Sequence, residues 1–140
     1  MKEPVVSDST CLIGLERIGE LKILPARFDP IMIPPEVERE FGNNFSWLQT
    51  ENLTNSLMVT ALRLVVDAGE AEAIALAGEK NCLLISDDKQ ARAAAKRLSV
   101  VVIGTVGVLV RAKQNGVVSA IKPILDDLEL NSFFYQPSVT

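Results

Sequence analysis

Along the chain, near-continuous apolar runs of strand length take turns with apolar stripes at three- and four-residue spacing, a pattern that predicts strands alternating with helices. Val5-Val6 reads as a strand that stops at Ser7-Asp8, after which Cys11, Leu12, Leu15 and Ile18 fall at helical spacing. Ile31-Met32-Ile33 is a second strand, and Pro34-Pro35 ends it and suits the start of a short helix over 35–41. Gly42-Asn43-Asn44 breaks that helix, and residues 45–53 around Trp47 fit a strand or a loop equally. Residues 57–66 read as helix in spite of Val59, Thr60, Val65 and Val66, whose branched side chains favour strands. The alanine-rich stretch 70–80 is strongly helical. Cys82-Leu83-Leu84-Ile85 then forms a buried strand closed by Ser86-Asp87-Asp88. A helix over 88–98 has Ala91, Ala94, Ala95 and Leu98 on one face, and a strand over 100–103 ends at Gly104-Thr105. Two helices close the sequence, one over 105–115 and one with the stripe Ile121, Ile124, Leu125 and Leu128.

Strands this uniformly apolar need both faces covered, and only crossover helices do that. The expected class is therefore α/β, a three-layer α/β/α sandwich around a central, mostly parallel sheet. At 140 residues the chain suits one core, so residues 1–130 form one domain. Residues 131–140 are an aperiodic tail whose Phe133, Phe134 and Tyr135 form an aromatic cluster for docking on the domain or on a partner. Cys11 and Cys82 sit inside apolar runs, so they read as buried small hydrophobes in a reducing compartment and not as a disulfide framework. No apolar stretch approaches 18 residues and the N-terminus has no signal-peptide pattern, so the expected location is cytoplasmic, with no membrane span.

The chain contains no histidine, which removes Ser-His-Asp and Cys-His catalysis and histidine metal sites together. Its formal charge of −4 gives no global positive field for nucleic acid, so any phosphate must be bound locally or through a metal. The parallel topology brings every strand's C-terminal end to one edge, where ligands bind. Asp8 ends the first strand, Asp87 and Asp88 end the strand from Cys82, and Glu70 opens a helix, so these acids are expected at that edge. Glu40, one to two turns into the helix after Pro34-Pro35, is within reach of it. Glu72 lies about 200° around the helix from Glu70, so both cannot face one ion, and Glu70 is favoured. Unit charges 4 Å apart repel by about 4 kcal/mol at an effective dielectric near 20, so converging carboxylates need a cation. All-oxygen ligands select Mg²⁺ or Mn²⁺, ions that activate water against a phosphodiester.

Each position also has a plainer reading. Asp8, Asp87 and Asp88 suit helix N-caps, Asp67 and Glu70 have capping-box spacing, and Glu36, Glu38 and Glu40 fit a solvated face. Lys89, Arg92 and Lys96 recur at helical spacing beside the acidic edge, as a grip on a phosphate backbone or as a solvated face. Ser9 and Thr10 orient a water or a phosphate, or serve as capping partners. The absence of Gly-x-x-x-x-Gly-Lys argues against a P-loop. The absence of a second aspartate two residues after Asp8 argues against an aspartyl-phosphate phosphatase.

The order of acids resembles the PIN-domain ribonucleases, including VapC-type toxins of toxin–antitoxin systems. VVSDST (5–10) is similar to the family's first-acid motif, PPEVEREF (34–41) to its second-acid helix, GEAEAIALA (69–77) to its third-acid helix, and LLISDD (83–88) to its hydroxyl-x-aspartate strand end. The resemblance maps the catalytic and metal-binding acids onto Asp8, Glu40, Glu70 and Asp88, with Asp87 an extra acid, Glu72 the other candidate in its helix and Ser86 the hydroxyl residue. It implies Mg²⁺- or Mn²⁺-dependent RNA cleavage, frequent homodimerisation and inhibition by a small antitoxin protein. The alternative is a catalytically inactive PIN-like module that binds protein or nucleic acid.

Overall fold

The computed structural model of the chain describes residues 2–131 and 133. In order they form β1 (Glu3–Ser7), α1 (Ser9–Arg17), α2 (Ile23–Arg27), β2 (Phe28–Ile33), α3 (Pro35–Phe41), β3 (Leu48–Thr50) and α4 (Ser56–Leu62). There follow α5 (Ala68–Lys80), β4 (Leu83–Ile85), α6 (Lys89–Arg97), β5 (Val102–Ile103), α7 (Thr105–Gln114) and α8 (Lys122–Leu130). The strands make one sheet in the order β3-β2-β1-β4-β5, and every pairing is parallel. Val5 is the centre of the register, opposite Ile31 on one side and Leu83 on the other.

This order is that of a doubly wound sheet. The chain moves one way from β1 to β3, then crosses back to build β4 and β5 on the other side of β1. Right-handed crossovers therefore put α1–α3 on one face and α4–α6 on the other, giving three layers. Contacts within each face join α1 to α3, α2 to α7, and α5 to both α4 and α6, while α3 also meets α5 across the division. The core lies where α5 crosses β1 and β4. Ala71, Ala73, Ile74, Leu76 and Ala77 are buried there against fully buried Val5, Val6, Leu84 and Ile85, and alanine's small side chain lets helix and sheet approach closely.

Two elements differ from the sequence expectation for identifiable reasons. The five-residue α2 carries Pro25 and is too short to show a periodic stripe. The undecided segment contains β3, a three-residue edge strand with only Leu48 half-buried, so neither alternation nor a continuous apolar run marks it. The helix expected over 57–66 ends at Leu62, and Val65 and Val66 fall in the turn that follows. Cys11 is buried as expected, whereas Cys82 is only half-buried, and both thiols are free. Phe133 docks on the domain as a buried ring whose edge fills the space that a Cβ added at Gly14 of α1 would need. Phe134 and Tyr135 lie outside the described residues.

Candidate functional site

In a sheet wound in both directions from its centre, the flanking loops part at the point where the direction reverses, leaving a crevice at the C-terminal ends of the two central strands. Here those strands are β1 and β4, so the crevice is bounded by Asp8 and by Ser86-Asp87-Asp88.

Asp8 is fully buried against solvent at 2% exposure and caps α1, accepting a hydrogen bond from the Cys11 amide at 3.0 Å. Its own amide donates to the Ile85 carbonyl, which locks the end of β1 to β4. Burial raises its carboxyl well above the ordinary aspartate value, and the neighbouring charge of Glu70 raises it further. Glu70 enters from the first turn of α5, whose cap is Asp67, accepting from the Glu70 amide. Burial pushes the Glu70 carboxyl up to about 7, aided by the charges of Asp67, Asp88 and Glu40, while a hydrogen bond from Ser86 opposes the shift. Ser86 is the hinge of this arrangement, because its buried hydroxyl donates to Glu70 Oε2 at 3.1 Å and accepts from the Asp88 amide at 3.2 Å. Asp88 is exposed at the rim and caps α6 through the Ala91 amide.

Glu40 reaches the same rim from the last turn of α3. Its Oε1 accepts from the Ser9 hydroxyl at 2.9 Å, and its carboxylate lies over the start of α5, 2.5 Å from where a Cβ on Gly69 would be. A glycine there is required by that approach, and the favourable end of the α5 dipole faces the charge. Asp8, Glu40, Glu70 and Asp88 thus bound one crevice, brought there by four different elements. Two of them cap helices and two are held by serine hydroxyls, so the capping and the functional readings apply to the same side chains. Among the described residues, no three carboxylate or thiol groups are gathered around a single point at metal-binding distance. The donor set nevertheless fits a hard cation, since it is all oxygen, and Asp8 and Glu70 are raised first by burial and further by neighbouring acids, a cost that a cation would relieve.

Three other candidates are turned elsewhere. Glu72 accepts from the Glu36 amide at 3.0 Å and so caps α3, whose Pro34 N-cap has no polar side chain. Asp87 points behind the crevice, accepting from the amide and hydroxyl of Thr105 at 3.1 and 2.5 Å, and so caps α7 in place of Gly104. Arg92 is buried and donates to the Ser86 carbonyl at 3.1 Å, which corrects the expectation of an exposed Lys89-Arg92-Lys96 stripe. Lys89 and Lys96 remain on the surface, as does Thr10. Thr105, Gly69 and Gly104 were missing from the sequence-derived site. The signals that could have found the glycines were their places, one in a first helical turn where glycine weakens a helix and one at a strand end. A cavity of about 580 Å³ lies at the other end of the sheet, bordered by Glu3, Asn81, Cys82 and Ser99, away from the acids.

A doubly wound fold with a histidine-free acidic crevice at its switch point defines a class of carboxylate-lined α/β domains. A family model, DUF3368, described as a PIN domain, matches residues 4–140, and the chain belongs to that family. PIN domains are generally nucleases and usually use divalent metal ions. A similar solved structure is a PilT N-terminus domain protein from the hyperthermophilic archaeon Sulfolobus solfataricus P2, at 18% identity and a TM-score of 0.54. The match covers 78% of this chain and 92% of that one, and at this identity it speaks to the fold alone. No curated protein matches the sequence. Among the described residues, no helix is long and apolar enough to cross a membrane.

Proposed function

We propose that the protein is a metal-dependent endoribonuclease in which Asp8, Glu40, Glu70 and Asp88 hold Mg²⁺ or Mn²⁺. The observation that carries this reading is the placement of buried Asp8 beside Glu70 at the switch point, two acids whose ionisation is opposed by burial and by neighbouring carboxylates. When bound, the cation supplies the positive charge for a scissile phosphate and lowers the pKa of an attacking water. Asp8 and Glu70 form the floor of the site and Glu40 and Asp88 its rim, so a phosphodiester enters from the solvent side. Ser9 and Ser86 each hold one of the two glutamates, Glu40 and Glu70, that together with Asp8 and Asp88 would hold the ion. Lys89 and Lys96, exposed on the helix that Asp88 caps, supply a local grip on the RNA backbone. A homodimer, a small antitoxin protein covering the crevice, and a cytoplasmic location belong to the same reading.

A second reading has an observation of its own. All four acids have a hydrogen-bonding partner within the fold, and no three converge, which suits a catalytically inactive PIN-like module that binds protein or nucleic acid. Two measurements separate the readings. Titration with Mn²⁺ raises the melting temperature of a metal site and leaves that of the inactive module unchanged. Asp8→Asn keeps the cap and the shape but removes the charge, so cleavage of single-stranded RNA is lost while folding is retained. Activity that persists in Asp8→Asn, or in the presence of a chelator, rules out the metal mechanism.

A further inference from the structure

Behind the turn that carries Ser86 and Asp88 lie two buried charged residues, Asp87 of the turn itself and Arg92 of α6. Asp87 is 7% exposed and Arg92 8%, and both approach one spot, since a Cβ added at Gly104 would lie 2.5 Å from Asp87 Oδ1 and 3.2 Å from Arg92 Nη1. Burying charge is expensive, and replacing a buried pair by apolar residues is often neutral or stabilising, so stability alone does not account for it. Its connections do. Arg92 Nη1 donates to the Ser86 carbonyl, fixing the turn from behind. Asp87 ties the same turn to the start of α7 through Thr105. On the neighbouring loop, the Cys11 amide holds Asp8 Oδ1. Polar contacts therefore stand behind the crevice on both sides, at the turn that presents Ser86 and Asp88 and at the loop that presents Asp8.

We infer that Asp87, Thr105 and Arg92 are positioning residues that hold the Ser86–Asp88 turn against the start of α7, and with it the geometry at which Glu70 and Asp88 meet a cation beside Asp8. This rests on the metal-site reading above, with none of the three touching the ion. The absence of a side chain at Gly104 belongs to the same device, because a methyl group there would displace Asp87. Supporting partners behind metal ligands are worth 10–100-fold in affinity or activity when removed, whereas a surface cap is worth only a little stability.

The test compares the full-length protein with Thr105→Val, Thr105→Ser and Asp87→Asn. Calorimetric titration with Mn²⁺ alone and amide hydrogen exchange at Cys11, Asp88 and Ala91 in metal-free protein are the readouts. Thr105→Val, which keeps shape and loses the hydroxyl, is expected to weaken Mn²⁺ binding about 10–100-fold and to speed exchange at Asp88, and Thr105→Ser restores both. Asp87→Asn keeps an acceptor for Thr105 and gives an intermediate loss, which preserves the test if Thr105→Val does not fold. Folded Thr105→Val with wild-type Mn²⁺ affinity and wild-type exchange overturns the inference. Wild-type protein that takes up no Mn²⁺ overturns the metal-site reading instead, and the exchange comparison still decides whether the network holds the turn.

Discussion

Asp8 and Glu70 are held against their own ionisation, and this has a measurable sign. Glu70 titrates near 7 in the fold against an ordinary value of 4.5, and Asp8 is shifted in the same direction. Below the ordinary values both groups are protonated in the folded and unfolded chains alike, and neither affects stability. As pH rises the unfolded chain loses these protons first, so the folded state binds more protons and loses stability until both groups have ionised in the fold. Metal-free protein is therefore expected to melt several degrees higher near pH 5 than near pH 8, and Glu70→Gln flattens that dependence, as thermal melts across the range will show. At neutral pH, Asp8→Asn is expected to melt no lower than wild type while losing cleavage, because asparagine caps a helix as well as aspartate does and brings no buried charge. The residue identities were readable from the sequence, since strand-end aspartates stand out in apolar surroundings. Their double duty as caps and crevice walls was not, because spacing alone gives both readings for Asp8 and Asp88. Arg92 was misread for a related reason, as helical spacing places it among surface lysines while its guanidinium turns inward to Ser86.

Between elements, the closest contact in the site is the approach of α3 to the start of α5. A methyl group at Gly69 would sit 2.5 Å from Glu40 Oε1, so Gly69→Ala pushes a flexible carboxylate aside and leaves the backbone alone. Alanine also raises helix propensity by up to about 1 kcal/mol over glycine. The expected outcome is an unchanged or slightly higher melting temperature together with weaker Mn²⁺ binding, a combination that a core defect does not produce. Loss of the α5 cap is expected to behave differently, with Asp67→Ala costing about 1 kcal/mol in denaturant unfolding. The long amphipathic or alanine-rich helices and the apolar strands were legible because each repeats its signal over several residues. The short elements α2 and β3 were not, since three to five residues leave no period to detect.

At the scale of the whole molecule, the described chain closes on itself through Phe133, which returns from the end of α8 to cover Gly14. Removing that ring opens a hole against α1, and Phe133→Ala is expected to cost about 3 kcal/mol, read from chemical denaturation. Gly14→Ala is expected to have a similar consequence from the other side of the contact, because the added methyl group occupies the position of the ring. Family membership extends over this region as well, since the match runs through residue 140. What the sequence determined by itself was the parallel α/β architecture, the absence of histidine chemistry and the set of acids available to the sheet edge, all of which follow from local periodicity and residue type. Only the tertiary structure decided which acids face the crevice, that Asp87 and Glu72 cap other helices, and that Thr105 and Gly104 stand behind the site. The physical reason is that a side chain's direction at a strand end depends on which neighbouring strand and helix it meets, and that pairing is fixed by the winding of the whole sheet.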